Sequence, residues 1–430
     1  MQFKSLLAIA AASGLAVAAN NSSLTTATPS VNKACSFSDF TATAATQVSQ
    51  IAACATAVGD ITISGEGIGS VELNGVQAVY GSLLVNGTKA TVLDAPTLQL
   101  VAGDLTVSDS TILSTVNFAQ LTTVGSLTFN ALPALEKTGL TTGLTSAEEI
   151  TIQNTGLTSL DGINVFELKT FDVNNNADIE SIDSGLQSVT DFLSINYNAD
   201  KVEVVLDKLT SANNVEFQHI SSLSVANLTT VNGSLSLQSN TFESIEFPQL
   251  KSIGKSLSIN KNDELEEFDF PKLTTVGGAL NVQDNQKLDS FSGFPKVKQI
   301  SGSVNLAGDF NNGTFPDLER VAGGFNLTST GDLTCDSFVK LNKDGDIKGD
   351  KFYCEGASST ISSSSSKSGN ANGSSTESSD SDSSSGSNSS SSASSSSSSS
   401  SSKKSGAAPV AGVQLASFAV AFAGIGAFLY

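Results

Sequence analysis

The sequence predicts an all-β protein, a parallel β-solenoid with disulfide-closed caps. Three observations carry this: apolar pairs recurring every 22 residues on average, asparagines at a fixed offset from those pairs, and cysteines bracketing the recurrence. The pairs are Ile61/Ile63, Leu83/Val85, Leu105/Val107, Leu127/Phe129, Ile150/Ile152, Phe171/Val173, Leu193/Ile195, Val215/Phe217, Leu235/Leu237, Leu257/Ile259, Leu280/Val282, Val304/Leu306 and Phe325/Leu327. They cover 264 residues in twelve steps of 20 to 24. A chance pattern does not hold phase for that long.

Within a cycle, alternation such as Leu257/Ile259 has period two, the mark of a strand with one buried face. Gly277-Gly278 ahead of Leu280, and Gly233-Ser234 ahead of Leu235, supply turn chemistry. A second apolar set follows, as in Phe242, Ile245, Phe247 and Leu250, with Pro248 at the corner. One cycle is two or three short strands, too small to bury its own face. Stacking on its neighbours solves that, at about 4.8 Å per coil and on the order of 65 Å for the whole rod. A further rung is expected at Asp346-Ile347-Lys348, 22 residues beyond Phe325.

Asn176, Asn198, Asn240, Asn262 and Asn285 each stand three residues after the second apolar residue, the L-x-L-x-x-N spacing of leucine-rich repeats. An inward amide there bonds the backbone of the turn and of the adjacent coil. Ser110, Thr155, Asp309 and Thr330 are expected to do the same less fully.

Solenoid ends expose core and edge strands and need caps. Cys35 and Cys54 precede the first clear strand and Cys335 and Cys354 follow the last, each pair 19 apart. In an oxidising compartment the local pairing, Cys35 with Cys54 and Cys335 with Cys354, closes both caps. A zinc site is the weaker alternative, without C-x-x-C spacing. The segment between Asp39 and Ala57, with Ala, Gln and Ile residues and no Gly or Pro, suggests a short capping helix.

The chain ends read as processing signals. Residues 1–19 have a basic start, an apolar stretch and a small-residue cleavage site, so they form a secretory signal. A short linker, 20–34, leads to the repeat ectodomain, 35–356. The serine tract 357–405 has almost no apolar side chains, cannot offset the entropy of ordering and is expected to be an unfolded, O-glycosylated stalk. Residues 406–430 carry small residues, a short spacer and an apolar tail, the pattern of a glycosylphosphatidylinositol (GPI) signal. Gly406 is the candidate attachment site, with Ser405 second and 407–430 removed. A transmembrane helix is the competing reading, weakened by Gln414 and by the lack of a following basic residue.

With 42 acidic and 22 basic residues the formal net charge is −20, which opposes binding to nucleic acid. One His and no Trp exclude metal sites built on several imidazoles, and no cofactor motif is present. N-glycosylation sequons stand at Asn20, Asn21, Asn86, Asn227, Asn232, Asn312, Asn326, Asn372 and Asn388. Asn86 and Asn326 adjoin strands. No catalytic constellation appears: Glu148-Glu149 point to opposite faces of a strand, and the acids from Asp263 to Asp269 read as the solvated side of one coil. His219 lacks a nucleophile-elbow partner. Sugar binding by aromatic stacking is disfavoured, since Tyr80, Tyr197 and Tyr353 are scattered.

The signal peptide, cysteine-capped cycles such as Leu273-Thr274-Thr275-Val276-Gly277-Gly278-Ala279-Leu280, the ending Phe352-Tyr353-Cys354, the serine stalk and Lys403-Lys404-Ser405-Gly406 together resemble the fungal GPI-anchored cell-wall organisation proteins, the sporulation-specific/extracellular-mutant family. The repeats also resemble the receptor L domain, a leucine-rich right-handed β-helix. The resemblance implies a non-enzymatic role in wall organisation and integrity, at the outer leaflet of the plasma membrane and partly in the wall. Partners would be wall polysaccharides or wall-assembly proteins, with a remodelling glycosidase or transglycosidase and an adhesin as alternatives.

Overall fold

The computed structural model describes residues 27–357 and 359–364. The signal segment, Asn20, Asn21, Asn372, Asn388, Gly406 and the tail lie outside the described residues, as does the serine tract beyond Ser364.

Every apolar pair named above lies on a strand, and each pairs in parallel with the equivalent residues of the next coil. The register runs Ile61, Leu83, Leu105, Leu127, Ile150, Phe171, Leu193, Val215, Leu235, Leu257, Leu280, Val304 and Phe325 without a break. We call this continuous ladder the long sheet. A shorter second face holds Ser181–Asp183, Glu203–Val205 and Ser222–Ser224 in one ladder, and Ser244–Glu246 with Glu267–Asp269 in another. Between the two faces lies one apolar core, its residues alternating with exposed ones along each strand as the period-two pattern demands.

Aromatic rings thicken that core toward the C-terminal half. Phe247 and Phe270 stack with centroids 4.8 Å apart and planes 5° from parallel, and Phe294 continues the column 5.3 Å beyond Phe270. Stacked equivalents pack offset rings over one another, adding to the burial of each side chain.

The inward asparagines form a second, polar ladder. The Asn262 amide donates to the Leu237 carbonyl at 3.1 Å and to Asn285 Oδ1 at 3.0 Å, while Asn262 Oδ1 accepts from the Asn240 backbone N–H at 2.9 Å. Asn240, Asn285, Asn176 and Asn198 likewise donate to Phe217, Ile259, Ile152 and Val173 carbonyls. Each amide thus satisfies backbone groups that the corner leaves unpaired. Ser110 and Thr155 substitute as expected, both buried. Asp309 and Thr330 do so only from an exposed position, because Val304–Gly308 and Phe325–Ser329 run one residue longer and bring Phe310 and Ser329 inward instead; Thr330 Oγ1 donates to the Gly308 carbonyl at 3.4 Å and to Asp309 Oδ1 at 3.1 Å.

Corners are tight. A Cβ placed on Gly277 would lie 2.1 Å from the Gly254 carbonyl oxygen, so the bend ahead of the long strand admits no side chain there.

At the N-terminal end, Cys35–Cys54 and helix α1 (Ala45–Ala52) close the core, with Val48 and Ile51 buried. Phe40–Ala42 adds a rung before Ile61 that the apolar pattern did not show. At the other end Cys335–Cys354 brackets helix α2 (Asp336–Asp344), which stops at Gly345, a left-handed cap with φ 80°. This inserted helix moves the last rung. Phe325 pairs with Phe352, and Ile347 bridges Val321, so Asp346–Lys348 is not the equivalent of Phe325. The first residues of the serine tract are also folded: Ser359–Ser364 runs antiparallel to Lys351–Gly356, with Ile361 against the core. Backbone pairing needs no apolar side chains, so composition alone misses it.

Asn262→Ala is expected to leave the Asn240 N–H without a partner and to cost about 2 kcal/mol. Chemical denaturation should show the lower midpoint while the strand signal by circular dichroism is unchanged before the transition.

Candidate binding face

Residues between and after the inward pair of each long strand point outward, and parallel register stacks them into two rows. The first holds Thr106, Thr128, Thr151, Asp172, Ser194, Glu216, Ser236, Ser258, Asn281 and Asn305. The second holds Asn86, Ser108, Asn130, Gln153, Asn174, Asn196, Gln218, Gln238, Asn260 and Gln283. Hydroxyls predominate in the first row, with Asp172, Glu216, Asn281 and Asn305 among them, and carboxamides in the second; Ser194 and Ser108 are buried by their neighbours.

The two rows are poor in charge although the chain is strongly acidic, with Asp104 and Glu149 exposed beside them on the same strands. Their own carboxylates are engaged by row amides: Asp172 accepts from Gln153 at 2.8 Å and from Asn174 at 2.9 Å, and Glu216 accepts from Gln218. Asn196 donates to Ser194 at 2.8 Å, and Asn305 to Asn281 at 2.8 Å. Two buried atoms in the second row, Asn196 Oδ1 and Asn260 Oδ1, have no hydrogen-bond partner among the described residues.

The rim of the second row is a line of left-handed residues. Asp109, Ala131, Asn154, Asn175, Tyr197, His219, Ser239, Lys261 and Asp284 all have φ between 50° and 57°. Two of them meet: the Tyr197 and His219 rings lie 4.2 Å apart, and Tyr197 is 48% exposed. The expectation that aromatic side chains are scattered fails for this pair, which the 22-residue spacing brings onto adjacent coils. A depression of about 680 Å³ continues from His219 past Ser239, Lys261 and Asp284.

Acid gathers on the second face. A groove of about 860 Å³ is lined by Glu243, Glu246, Glu267 and Asp269, with Lys201 at its side. Glu246 and Asp269 are register partners. The acids from Asp263 to Asp269 are therefore joined by carboxylates of the preceding coil, a convergence visible in the spacing of Glu243 and Glu246 from Glu266 and Asp269. Partial desolvation, then repulsion from Glu246 and Glu267, raises the Asp269 carboxyl above the ordinary aspartate value. Glu148 is held by Lys169, an ion pair across adjacent coils. Among the described residues no group of His, Cys, Asp and Glu is arranged to hold a metal ion, and no helix is long and apolar enough to cross a membrane.

The sequons fall unevenly on this geometry. Asn227, Asn232, Asn312 and Asn326 are exposed, Asn326 on the outward side of its strand. Asn86 is half-buried, and its amide donates to Ser108 Oγ at 2.7 Å and to Asp109 Oδ2 at 2.8 Å.

No protein-family model matches the chain, and no solved structure matches it. Among curated proteins it is similar to the cell surface GPI-anchored protein ECM33 of Candida albicans, 40% identical over 368 residues, 84% of this chain and 87% of the relative. The cell wall protein ecm33 of Schizosaccharomyces pombe is 35% identical over 335 residues, 76% of this chain and 78% of the relative. Sporulation-specific protein 2 of Saccharomyces cerevisiae is 27% identical over 308 residues, 70% of this chain and 61% of the relative.

The raised Asp269 carboxyl makes the acidic groove pH-sensitive. The folded chain holds that proton more tightly than the unfolded chain, so stability falls as pH rises from 3.8 through the raised value. Asn in place of Asp removes the loss. Asp269→Asn is expected to melt on the order of 1 °C above wild type at pH 7 and level with it at pH 3.

Proposed function

Since the chain belongs to the fungal family of GPI-anchored cell-surface and cell-wall proteins, we propose that it is a non-enzymatic scaffold whose long sheet engages wall polysaccharides or wall-assembly proteins. The observation that carries this reading is the pair of hydroxyl and carboxamide rows repeated on coil after coil. A solenoid face of this kind suits an extended partner, because each coil adds an equal increment of contact.

In this reading the signal segment sends the chain to the cell surface, and a lipid at Gly406 replaces the apolar tail. The serine tract beyond Ser364 holds the solenoid away from the bilayer. N-glycans stand at Asn227, Asn232, Asn312 and Asn326. Asn86 is left bare, because a glycan replaces one of two amide hydrogens that Ser108 and Asp109 already accept.

The acidic groove favours a second reading, a glycan-remodelling enzyme, since a carboxyl of raised pKa beside two carboxylates is what acid–base cleavage of a glycosidic bond needs. Incubation with β-glucan, chitin and mannan oligosaccharides separates the two: the scaffold leaves their length distribution unchanged, and the enzyme shifts it in an Asp269-dependent way.

Cleavage by a phosphatidylinositol-specific phospholipase is expected to release the protein from membranes; retention, with other GPI proteins released in the same sample, would count against the anchor. Deletion is expected to sensitise cells to wall-perturbing dye and heat, with the full chain restoring resistance. Glycopeptide mapping should find the four exposed sequons occupied and Asn86 largely unmodified.

A further inference from the structure

The chemistry of the long sheet names its ligand more closely, and the inference rests on the wall-binding reading above. We propose that the two outward rows between Thr106 and Asn305 bind a linear, uncharged polysaccharide laid along the solenoid axis, with the Tyr197–His219 pair as its stacking platform.

Charge selects the class. Within the two rows the only charged residues are Asp172 and Glu216, and neither row contains Lys or Arg over this stretch; Asp104, Glu149 and the rim residue Lys261 stand beside them. An anionic polymer finds no row of cations there, and a cationic partner finds a denser cluster of acid on the second face. A neutral polymer of hydroxyl groups meets donors and acceptors repeated at each coil.

Two atoms ask for such a ligand. Asn196 Oδ1 and Asn260 Oδ1 are buried without partners, and exchanging oxygen for nitrogen in the Asn196 amide would leave the same end unpaired while the other end faces Ser194. Unpaired buried polar groups are rare because each has given up its water without a replacement. Both side chains are only half-buried, so a small rotation brings the oxygen to the surface, where a sugar hydroxyl donates to it.

Tyr197 sits beside Asn196 at φ 50°, a backbone region that a bulky residue rarely adopts and that asparagine or aspartate would occupy at less cost. What the ring provides there is an exposed apolar surface packed at a tilt of 38° against His219, at the edge of the amide row. The C–H face of a pyranose packs on such a ring while its hydroxyls turn to the amides.

Between Thr106 and Asn305 the two rows carry no sequon, while Asn86 and Asn326 flank that stretch on the same face. Asn130, Asn174, Asn196, Asn260, Asn281 and Asn305 all point outward, and none is followed two residues later by Ser or Thr. At three of them that place is taken by the inward ladder residues Asn176, Asn198 and Asn262.

The test is co-sedimentation of the detergent-solubilised full chain with particles of linear β-glucan and of chitin, and with alginate gel as an anionic counter-probe. Wild type should bind at least one neutral polymer and leave alginate. Tyr197→Asn, which keeps the left-handed preference while removing the ring, should weaken binding about tenfold, and Gln218→Ala with Gln238→Ala about three- to tenfold. Glu246→Gln with Glu267→Gln, on the second face, should change nothing. Unchanged melting temperatures show that all variants are folded. Failure of wild type to bind either neutral polymer, equal binding by the face variants, or loss confined to the second-face variant each overturns the assignment. The same alleles are scored for wall resistance in cells. Wild type that restores resistance yet binds no polymer sinks the ligand assignment alone; wild type that binds but restores nothing sinks the wall role and leaves the assignment standing.

Discussion

Backbone hydrogen bonding between successive coils is the constraint from which the rest follows. A parallel ladder fixes equivalent residues one rung apart, so a period in the sequence becomes a column in space. The inward columns are the leucines, valines, isoleucines and phenylalanines of the core and the asparagines of the corner. The outward columns are freer of packing demands, and there the sequence has placed hydroxyls and amides chiefly on the long sheet and a cluster of acid on the second face.

The inward half of this design was legible because burial forces a narrow choice of side chain at a fixed spacing. Ile61 to Phe325, the asparagine ladder, the cystine caps and helix α1 all lie where the residue pattern puts them. The sequence misled wherever the period was interrupted. Helix α2 displaces the last rung from Ile347 to Phe352, and one extra residue in each of two strands turns Asp309 and Thr330 outward. The outward columns were harder to see for a different reason. Their residues are individually unremarkable polar ones, and Tyr197 and His219 become a pair only once the register is known.

The register also accounts for the odd composition, poor in charge yet water-compatible. Thr, Ser, Asn and Gln on the long sheet hydrate it with few ions, while repulsion among Glu246, Glu267 and Asp269 is confined to the second face. Ion pairs across coils, such as Lys287 with Glu264 at 2.5 Å, are exposed and contribute little. Stability resides in the core columns and in the amides that seal the corners.

Because every coil leans chiefly on the one before and the one after, the molecule is a ruler graduated in single turns. An in-frame gain or loss of 22 residues in its middle would lengthen or shorten the exposed face by one graduation and leave both cystine-closed ends as they are. Reach is thereby a property that whole-coil insertion or deletion can adjust, with no new fold to invent.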